Sequence, residues 1–383
     1  MAITSFFALS VDYVDENGNT QSGPSAVAKL KAMQKEWTGY LDEEKIRSVI
    51  EKNVEINNTE EAKSQNVSQN NIAYGWKQGI NEIRSLLNCS YATGFRDYDH
   101  YIADGLSLDV AGDFYDNRIK LLKNWLEGEA KDQFSAKEKE YLINQYENIE
   151  TPFYYDYMKG WQQLFEFAPT IIMLTMIILG FLVAGIFANE SAWKADAIFF
   201  SCTYGRNKAI ISKIAAGFLI VTVVYIITFG VFTGIVLLYL GADGYNLPIQ
   251  SNWTAWKCFY NITNIQKYLI IGIGGYIGCL FISFLSMYLS AKTKSAVLAA
   301  MVPVILIFIP SFISNIDSPI VNKIIGLLPD QLLQAGNALS YFNLYTIGGK
   351  VLGAVPILIV LYIVLSIVLV PLLYRAYRHA QVS

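Results

Sequence analysis

Histidine is nearly absent from this chain, and cysteine is scarce. The 383 residues include two histidines, His100 and His379, and four cysteines, none of which belongs to a CxxC pair. This composition excludes an HExxH zinc site and disfavours a Ser-His-Asp triad, because both need histidine beside defined partners. No GxxxxGK[ST] phosphate-binding loop is present either. We therefore expect no catalytic site, metal or cofactor on this chain.

Charge is missing from five long apolar runs. A helix of about 20 apolar residues crosses the roughly 30 Å hydrocarbon core of a bilayer. The five runs contain no Asp, Glu, Lys, Arg or His: 167–188, 214–240, 268–289, 296–314 and 351–374. They predict an all-α polytopic membrane protein with five membrane-spanning helices. Ion-coupled transporters place ionisable groups in their spans, so any transport here would draw its energy from outside the membrane region.

The remaining charge is unevenly distributed. Residues 1–160 hold 17 Lys/Arg and 26 Asp/Glu, net −9, whereas residues 161–383 hold 12 and 6, net +6, which together give the chain's −3. Basic residues concentrate in the loop 189–213 and in the tail after Tyr374. The positive-inside rule places both of these on the cytoplasmic side. We therefore expect residues 11–150 to form an extracytoplasmic domain on a bacterial cytoplasmic membrane.

The segment at residues 1–10 is apolar but has no basic region before it and is too short for a signal peptide. It is predicted to be the remnant of a first transmembrane helix. An external domain at 11–150 needs a preceding span, so we expect six spans in the natural chain, with the start of this one truncated or misassigned.

The domain at 11–150 is predicted to be mostly helical with loose polar loops, including 57–71. Asp42 is placed to cap a helix at 43–54, and Ser135 with Glu138 has the spacing of a capping box. Aromatic residues at helical spacing in 151–166 predict an interfacial amphipathic helix, and the domain 167–383 follows it. Four acids are read as a solvated loop rather than a cation site, namely Asp97, Asp99, Asp104 and Asp109. Cys89 and Cys258 leave two alternatives open, a disulfide or, as favoured here, two thiols.

Two pairs of glycines lie four residues apart within the apolar runs. They are Gly230 with Gly234 and Gly274 with Gly278. Small residues at this spacing allow close approach of membrane helices, so all four are predicted to lie at helix contacts.

The loop 189–213 has more internal pattern than a connector needs. It opens with Glu190, continues with an aromatic-rich helical patch, turns at Tyr204-Gly205-Arg206 and ends at Lys213. We interpret it as a docking surface on the cytoplasmic side. A simpler interpretation is that Arg206, Lys208 and Lys213 only anchor the loop at the membrane surface.

Three features of residues 150–383 together resemble the permease subunits of ABC-2 type exporters. They are the run PFYYDYMKGWQQLFEFAP at 152–169, the pattern FANE-(x)13-YGR-(x)6-K at 187–213, and the order of spans with an external amphipathic stretch at 320–339. The incomplete first span is a departure from that family, in which the large external domain follows a full first span.

The resemblance implies a dimer of two permease copies in the lipid bilayer with separate ABC ATPase subunits that bind ATP and Mg. A coupling surface for the ATPase would comprise Glu190, Trp193, Phe199, Tyr204, Gly205, Arg206 and Lys213. An external gate would comprise Leu327, Leu328, Pro329 and Asp330. The chain itself would not be an enzyme, and no nucleic-acid partner is expected.

Two other functions compete with this one. A membrane-anchored ligand sensor or immunity protein without transport activity would also have a large external domain. The short internal loops leave no room for a signalling output domain, which disfavours a sensor. A membrane enzyme is disfavoured by the lack of polar clusters in the spans.

Overall fold

The computed structural model describes residues 2–313 and 319–380. Residue 314, the predicted end of the fourth apolar run, lies outside the described residues. The chain forms two compact units. Residues 2–166 and 235–267 make the first, here called the N-terminal unit. Residues 167–234 and those from 268 onward make the second, here called the membrane unit.

The N-terminal unit is mostly helical, as expected. Its helices and strands up to residue 155 are α1 Ala2–Leu9, β1 Tyr13–Val14, β2 Thr20–Gln21, α2 Pro24–Lys35, β3 Gly39–Tyr40, α3 Glu43–Asn57, α4 Glu60–Lys63, α5 Val67–Lys77, α6 Asn81–Ser90, α7 Phe114–Glu127, α8 Ala136–Glu147 and β4 Tyr154–Tyr155. Short 3-10 helices lie at Ile102–Gly105, Leu108–Asp113, Ile249–Ser251 and Trp253–Ala255. The strands pair antiparallel as β1–β2 and β3–β4.

The predicted helix caps are confirmed. An Asp42 carboxylate oxygen accepts a hydrogen bond from the Lys45 amide at 2.9 Å at the start of α3. Ser135 and Glu138 form both bonds of a capping box at the start of α8. The polar region 57–71 is more ordered than predicted, because Thr59 and Asn66 cap α4 and α5 there. Side-chain caps offset the low apolar content of these short helices.

Residues 241–263, which the sequence placed in a loop of the membrane domain, complete the core of the N-terminal unit. The buried Arg118 guanidinium of α7 donates hydrogen bonds to the carbonyls of Trp256 and Cys258, both at 3.0 Å. It also lies 3.9 Å from the Tyr146 ring centroid. The indole of Trp256 is fully buried and packs at 4.9 Å from Phe114. A cation buried in this way is stabilised by carbonyl acceptors and aromatic faces in place of water.

The remaining elements begin with a helix that leaves the N-terminal unit. They are α9 Lys159–Ala184, α10 Asn189–Ala192, α11 Asp196–Ser201, α12 Lys208–Leu240, α13 Asn264–Thr293, α14 Ala296–Ile313, α15 Pro319–Ile325, α16 Asp330–Leu333, α17 Ala335–Ala338, β5 Leu344–Ile347, β6 Lys350–Gly353 and α18 Ala354–Arg378. Helices α9, α12 and α13 each have residues in both units.

Four helices in the described chain are long and apolar enough to cross a membrane: α9, α12, α13 and α18. The chain is therefore a predominantly helical, multi-pass membrane protein. The fifth predicted span corresponds to α14, which is a shorter apolar helix with Pro303 and Pro310 inside it. Each proline removes one backbone hydrogen-bond donor from the helix. The helix α14 is not counted among the four candidate spans.

The boundaries of all four long helices differ from those of the predicted spans. Residues 151–166 are not a separate interfacial helix, because Tyr154–Tyr155 forms β4 and α9 already begins at Lys159. Phe153, Tyr157 and Trp161 of this segment are buried in the N-terminal unit rather than free to meet lipid headgroups. The last span begins at Ala354, since the preceding residues form the β5–β6 hairpin around Gly348 and Gly349, whose φ values are 58° and 80°. Two successive residues in the left-handed region favour glycine at both positions.

Only half of the predicted glycine contacts are present in the described structure. A Cβ at Gly274 would lie 3.3 Å from the Ala335 Cβ, and one at Gly278 would lie 2.8 Å from the Met176 methyl group. At Gly230 and Gly234 a Cβ would meet nothing within 4 Å among the described residues of this chain. At Gly275, in the same glycine-rich run, a Cβ would lie 2.6 Å from the Tyr225 hydroxyl oxygen.

Alanine at Gly275 should therefore destabilise the protein, whereas alanine at Gly230 should not. The new methyl at 275 also meets the Ile172 Cδ1 at 2.7 Å, and overpacking of this kind costs about 1–3 kcal/mol. Gly230→Ala fills open space and gains helix propensity of up to about 1 kcal/mol. Thermal unfolding midpoints of the two variants in detergent provide the measurement. Equal midpoints would contradict the assignment of Gly275 to a close helix contact.

Candidate functional site

The segment 189–213 is folded along its whole length. It contains α10, a turn through Lys194 with φ 54°, and α11, whose residues 196–201 form the predicted aromatic helical patch. The predicted turn at 204–206 is present, and α12 begins at Lys208, six residues before the predicted span. The segment 189–213 is thus two short helices, a turn and the start of α12 rather than one continuous helix.

Lys213 lies at the centre of a cluster that holds this segment together. Its ammonium group forms an ion pair with Glu190 and donates a hydrogen bond to the Ile186 carbonyl at 2.5 Å. Three aromatic rings surround the same group at 5.2–5.3 Å from their centroids, those of Phe187, Phe199 and Tyr377. Aromatic faces and a carboxylate together compensate the ammonium for lost water. We call Phe187, Glu190, Phe199, Lys213 and Tyr377 the Lys213 cluster.

Tyr377 extends the cluster to the last span. Its hydroxyl donates a hydrogen bond to the second carboxylate oxygen of Glu190 at 3.1 Å. Its ring contacts the Phe187 ring edge to face at 4.9 Å. The cluster therefore joins the segment after α9, the start of α12 and the end of α18. Tyr377 was not predicted as a site residue, because its position between Arg375 and Arg378 looks like an ordinary basic tail.

Arg206 makes a second connection to α18. Its Nη1 donates hydrogen bonds to the carbonyls of Arg378 at 2.7 Å and Ala380 at 3.2 Å. Its guanidinium also lies 4.5 Å from the Phe200 ring centroid. The carbonyls at the end of a helix have no hydrogen-bond partner within the helix, and a cation there donates to them. The cation also interacts favourably with the negative end of the helix dipole. Arg206 is thus occupied by α18.

Gly205 allows the turn between α11 and α12 to close. A Cβ at this residue would overlap the carbonyl oxygen of Phe199. The backbone can approach this closely only without a side chain. Gly205 is therefore required for the shape of the turn rather than for contact with a partner.

The structure divides the predicted coupling residues into two groups. Trp193 and Tyr204 have exposed side chains, at 74% and 58% of full accessibility, and the neighbouring Ile198 is 72% exposed. Glu190, Phe199, Lys213 and Arg206 instead engage other residues of the chain. Of the predicted coupling residues, Trp193 and Tyr204 are thus the exposed ones, and Ile198 is an exposed residue that the sequence did not single out.

No family model, curated protein or solved structure matches this chain. The geometry therefore carries the functional argument.

The predicted gate stretch at 320–339 is not one amphipathic helix. It is divided into α15, α16 and α17, with the turn at Leu327-Leu328-Pro329 before Asp330. The Leu327 carbonyl accepts a hydrogen bond from the Tyr362 hydroxyl of α18 at 2.9 Å. Leu332 of α16 belongs to a buried cluster with Ile277 of α13 and Tyr362. This segment thus packs between two spans.

Asp330 is an acid in an apolar setting. Its residue is 6% exposed, and one carboxylate oxygen accepts a hydrogen bond from the Gln331 amide at 2.7 Å. Its Oδ1 is buried and has no hydrogen-bond partner among the described residues. Burial raises the pKa of Asp330 to about 6, because desolvation disfavours the ionised carboxylate.

The N-terminal unit offers no alternative metal or thiol site in its described residues. No group of three or more His, Cys, Asp and Glu is placed to hold a metal ion in the described chain. Asp104 instead accepts hydrogen bonds from Asn53, Asn57 and Arg84. Cys89 and Cys258 are thiols rather than a disulfide, and burial raises the pKa of each to about 11. Thiols with such pKa values remain protonated and unreactive near neutral pH.

Replacing Lys213 by methionine should destabilise the protein strongly. The substitution leaves Glu190, whose side chain is 17% exposed, with an uncompensated charge, and such a loss costs about 3 kcal/mol. Lys208→Met removes the same charge from an exposed position on the same helix and should have little effect. The double variant Lys213→Met with Glu190→Gln should recover part of the loss. Unfolding midpoints measure all three, and a stable Lys213→Met would show that the cluster does not hold the segment.

Replacing Asp330 by asparagine should change how stability depends on pH. The folded protein keeps the Asp330 proton up to about pH 6, whereas the unfolded chain releases it near 3.8. Its contribution is therefore full below about pH 4 and is lost as pH rises through 6. Asp330→Asn should gain on the wild type over this window by up to about 3 kcal/mol. Unfolding midpoints between pH 4 and 7 measure the difference, with the exposed Asp109→Asn as control. Parallel profiles for Asp330→Asn and wild type would refute the prediction.

Proposed function

We propose that this chain is the membrane-spanning permease subunit of an ATP-driven exporter of the ABC-2 type. A separate ABC ATPase subunit would bind and hydrolyse ATP with Mg, and a second permease copy would complete the transporter. The observation that carries the proposal is the folded segment 189–213, which combines an internally fixed base with exposed aromatic and aliphatic side chains.

The exposed side chains suit contact with a protein. Trp193, Ile198 and Tyr204 lie on a segment that carries basic residues and is too short to form a domain. Large apolar groups on a polar loop expose area to water that docking would bury, and Trp and Tyr are enriched at the centres of protein interfaces.

The fixed base suits transmission of a movement. The Lys213 cluster connects the segment to the ends of α9, α12 and α18, and Arg206 adds a second connection to α18. A partner that displaces the segment would therefore act on three spans together. Rigid, well-packed contacts of this kind are what a mechanical coupling between subunits requires.

The separation of energy source and pathway supports the same proposal. The apolar centres of α9, α12, α13 and α18 contain no Asp, Glu, Lys, Arg or His, and their Lys and Arg lie near the helix ends. A proton or cation gradient has no carrier group there. Energy would instead enter through the 189–213 segment, and the broken helices around Leu327–Asp330, packed against α13 and α18, would act as the external gate.

The topology predicted from charge also fits. Residues 241–263 share a core with residues 2–158 in the N-terminal unit, so both lie on one side of the membrane. The positive-inside rule assigns that side to the exterior and the 189–213 segment to the cytoplasm. An ATPase in the cytoplasm of a bacterium would then reach the segment directly.

Loss of the exposed aromatics should abolish ATPase association without harming the protein. The tagged wild-type chain, purified from membranes of its source organism, should carry an ABC ATPase identifiable by mass spectrometry. Trp193→Ala with Tyr204→Ala should reduce the recovered ATPase at least tenfold, since two such anchors contribute roughly 2 kcal/mol or more. The unfolding midpoint should be unchanged.

The matched control replaces two exposed aromatics of the N-terminal unit, Tyr74→Ala with Tyr101→Ala. This variant should recover as much ATPase as the wild type. Recovery of no ATPase by the wild type, or equal recovery by the Trp193 and Tyr204 variant, would reject the proposed function.

A further inference from the structure

An apolar groove runs along the membrane unit between α12, α13 and α18. It has a volume of about 470 Å³, and its walls include Ile214 and Phe218 of α12, Ile277 and Phe284 of α13, and Ile367 of α18. Volumes of this size are typical of small-molecule sites. The lining of the groove is apolar, so its occupant must be mainly hydrocarbon.

The groove offers almost no hydrogen bonds to a ligand. Ser366 is the one residue with a polar side chain among those that line it. Its hydroxyl already donates to the Tyr362 carbonyl at 2.7 Å within α18. A polar solute would lose its water without replacement in such a site, which excludes sugars, nucleotides and polar peptides.

A second space continues the groove toward the end of α18. It measures about 320 Å³ and shares Ile211, Ile214 and Val370 with the first. Its far end is lined by Tyr374 and Arg375. The two spaces therefore form one path that is apolar along its length and cationic at one end.

The positive charge at this end is not neutralised within the described chain. Arg375 is exposed and has no carboxylate within ion-pair distance among the described residues. Lys208 lies three residues before Ile211 on α12, hence on the same side of that helix. Its ammonium contacts the Tyr204 ring at 4.7 Å and pairs with no described acid. Arg206 and Lys213, in contrast, are occupied by internal partners.

We propose that this groove binds an anionic phospholipid, with an acyl chain between α12, α13 and α18 and the phosphate group at Arg375 and Lys208. Basic pockets between membrane helices at the cytoplasmic surface recognise anionic lipid headgroups. The positive-inside orientation places this end of the groove in the cytoplasmic leaflet. Lipid in this groove would bridge the three spans that line it.

The lipid site does not depend on the proposed transport function, because it follows from the lining of the groove and the basic residues at its end. Its test uses the full chain purified in detergent and stripped of native lipid. Phosphatidylglycerol, phosphatidylcholine and glycerol phosphate are each titrated, and the bound fraction is measured by native mass spectrometry. The wild type should bind phosphatidylglycerol at least fivefold more tightly than phosphatidylcholine and should not retain glycerol phosphate.

Two kinds of variant test the contact with the lipid headgroup and the contact with the acyl chain separately. Arg375→Gln should weaken phosphatidylglycerol about fivefold, the effect of one cation near the headgroup, and leave phosphatidylcholine unchanged. Arg378→Gln, the same change one turn further along α18 and outside the groove lining, should have no effect. Ile214→Trp or Ile367→Phe should weaken both lipids by filling the groove, and an unchanged unfolding midpoint without lipid confirms that each variant is folded.

Three results would overturn the lipid site. The first is equal binding of the two lipids by the wild type. The second is an Arg375→Gln variant that discriminates between them as the wild type does. The third is tight binding of glycerol phosphate, which would mean an anion site that does not use the groove.

Discussion

The ammonium group of Lys213 is the point on which the organisation of the 189–213 segment depends. It replaces water with one carboxylate, one carbonyl and three aromatic faces. No single one of these would compensate a half-buried cation. These groups come from the segment after α9, from α10 and α11, and from the end of α18, so a single charge holds these parts of the chain together. The Lys213 cluster thus holds the base of the segment on which Trp193 and Tyr204 are exposed.

The sequence predicted features that arise from neighbouring residues. The Asp42 cap, the Ser135 capping box and the turn around Gly205 depend on spacings of a few residues, and all are present. The centres of four spans were likewise readable from continuous apolar length. The ends of the spans were predicted less accurately, because hydrophobicity does not distinguish the strand β6 from the first turn of α18.

The sequence could not predict partners that are distant along the chain. Lys213 was predicted as a coupling residue or a membrane-surface anchor, and its contacts with Glu190 and Tyr377 were not predicted. The loop that contains Trp256 was likewise not predicted to contact Arg118. Gly230 and Gly275 lie in similar apolar surroundings, yet only the second faces a neighbouring helix. Which face of a span meets another helix is a property of the assembled bundle, and an apolar run hydrophobic on all sides does not encode it locally.

The burial of Arg118 beneath Trp256 has a consequence for biosynthesis. The two residues are 138 positions apart, and α9 and α12 lie between them. The ribosome needs about 7 to 28 seconds to add that many residues at about 5–20 per second. During this interval Arg118 has neither its carbonyl acceptors, those of Trp256 and Cys258, nor the indole of Trp256. The unit cannot close as an independent domain on emergence, and its maturation must wait for insertion of the helices that deliver residues 241–263.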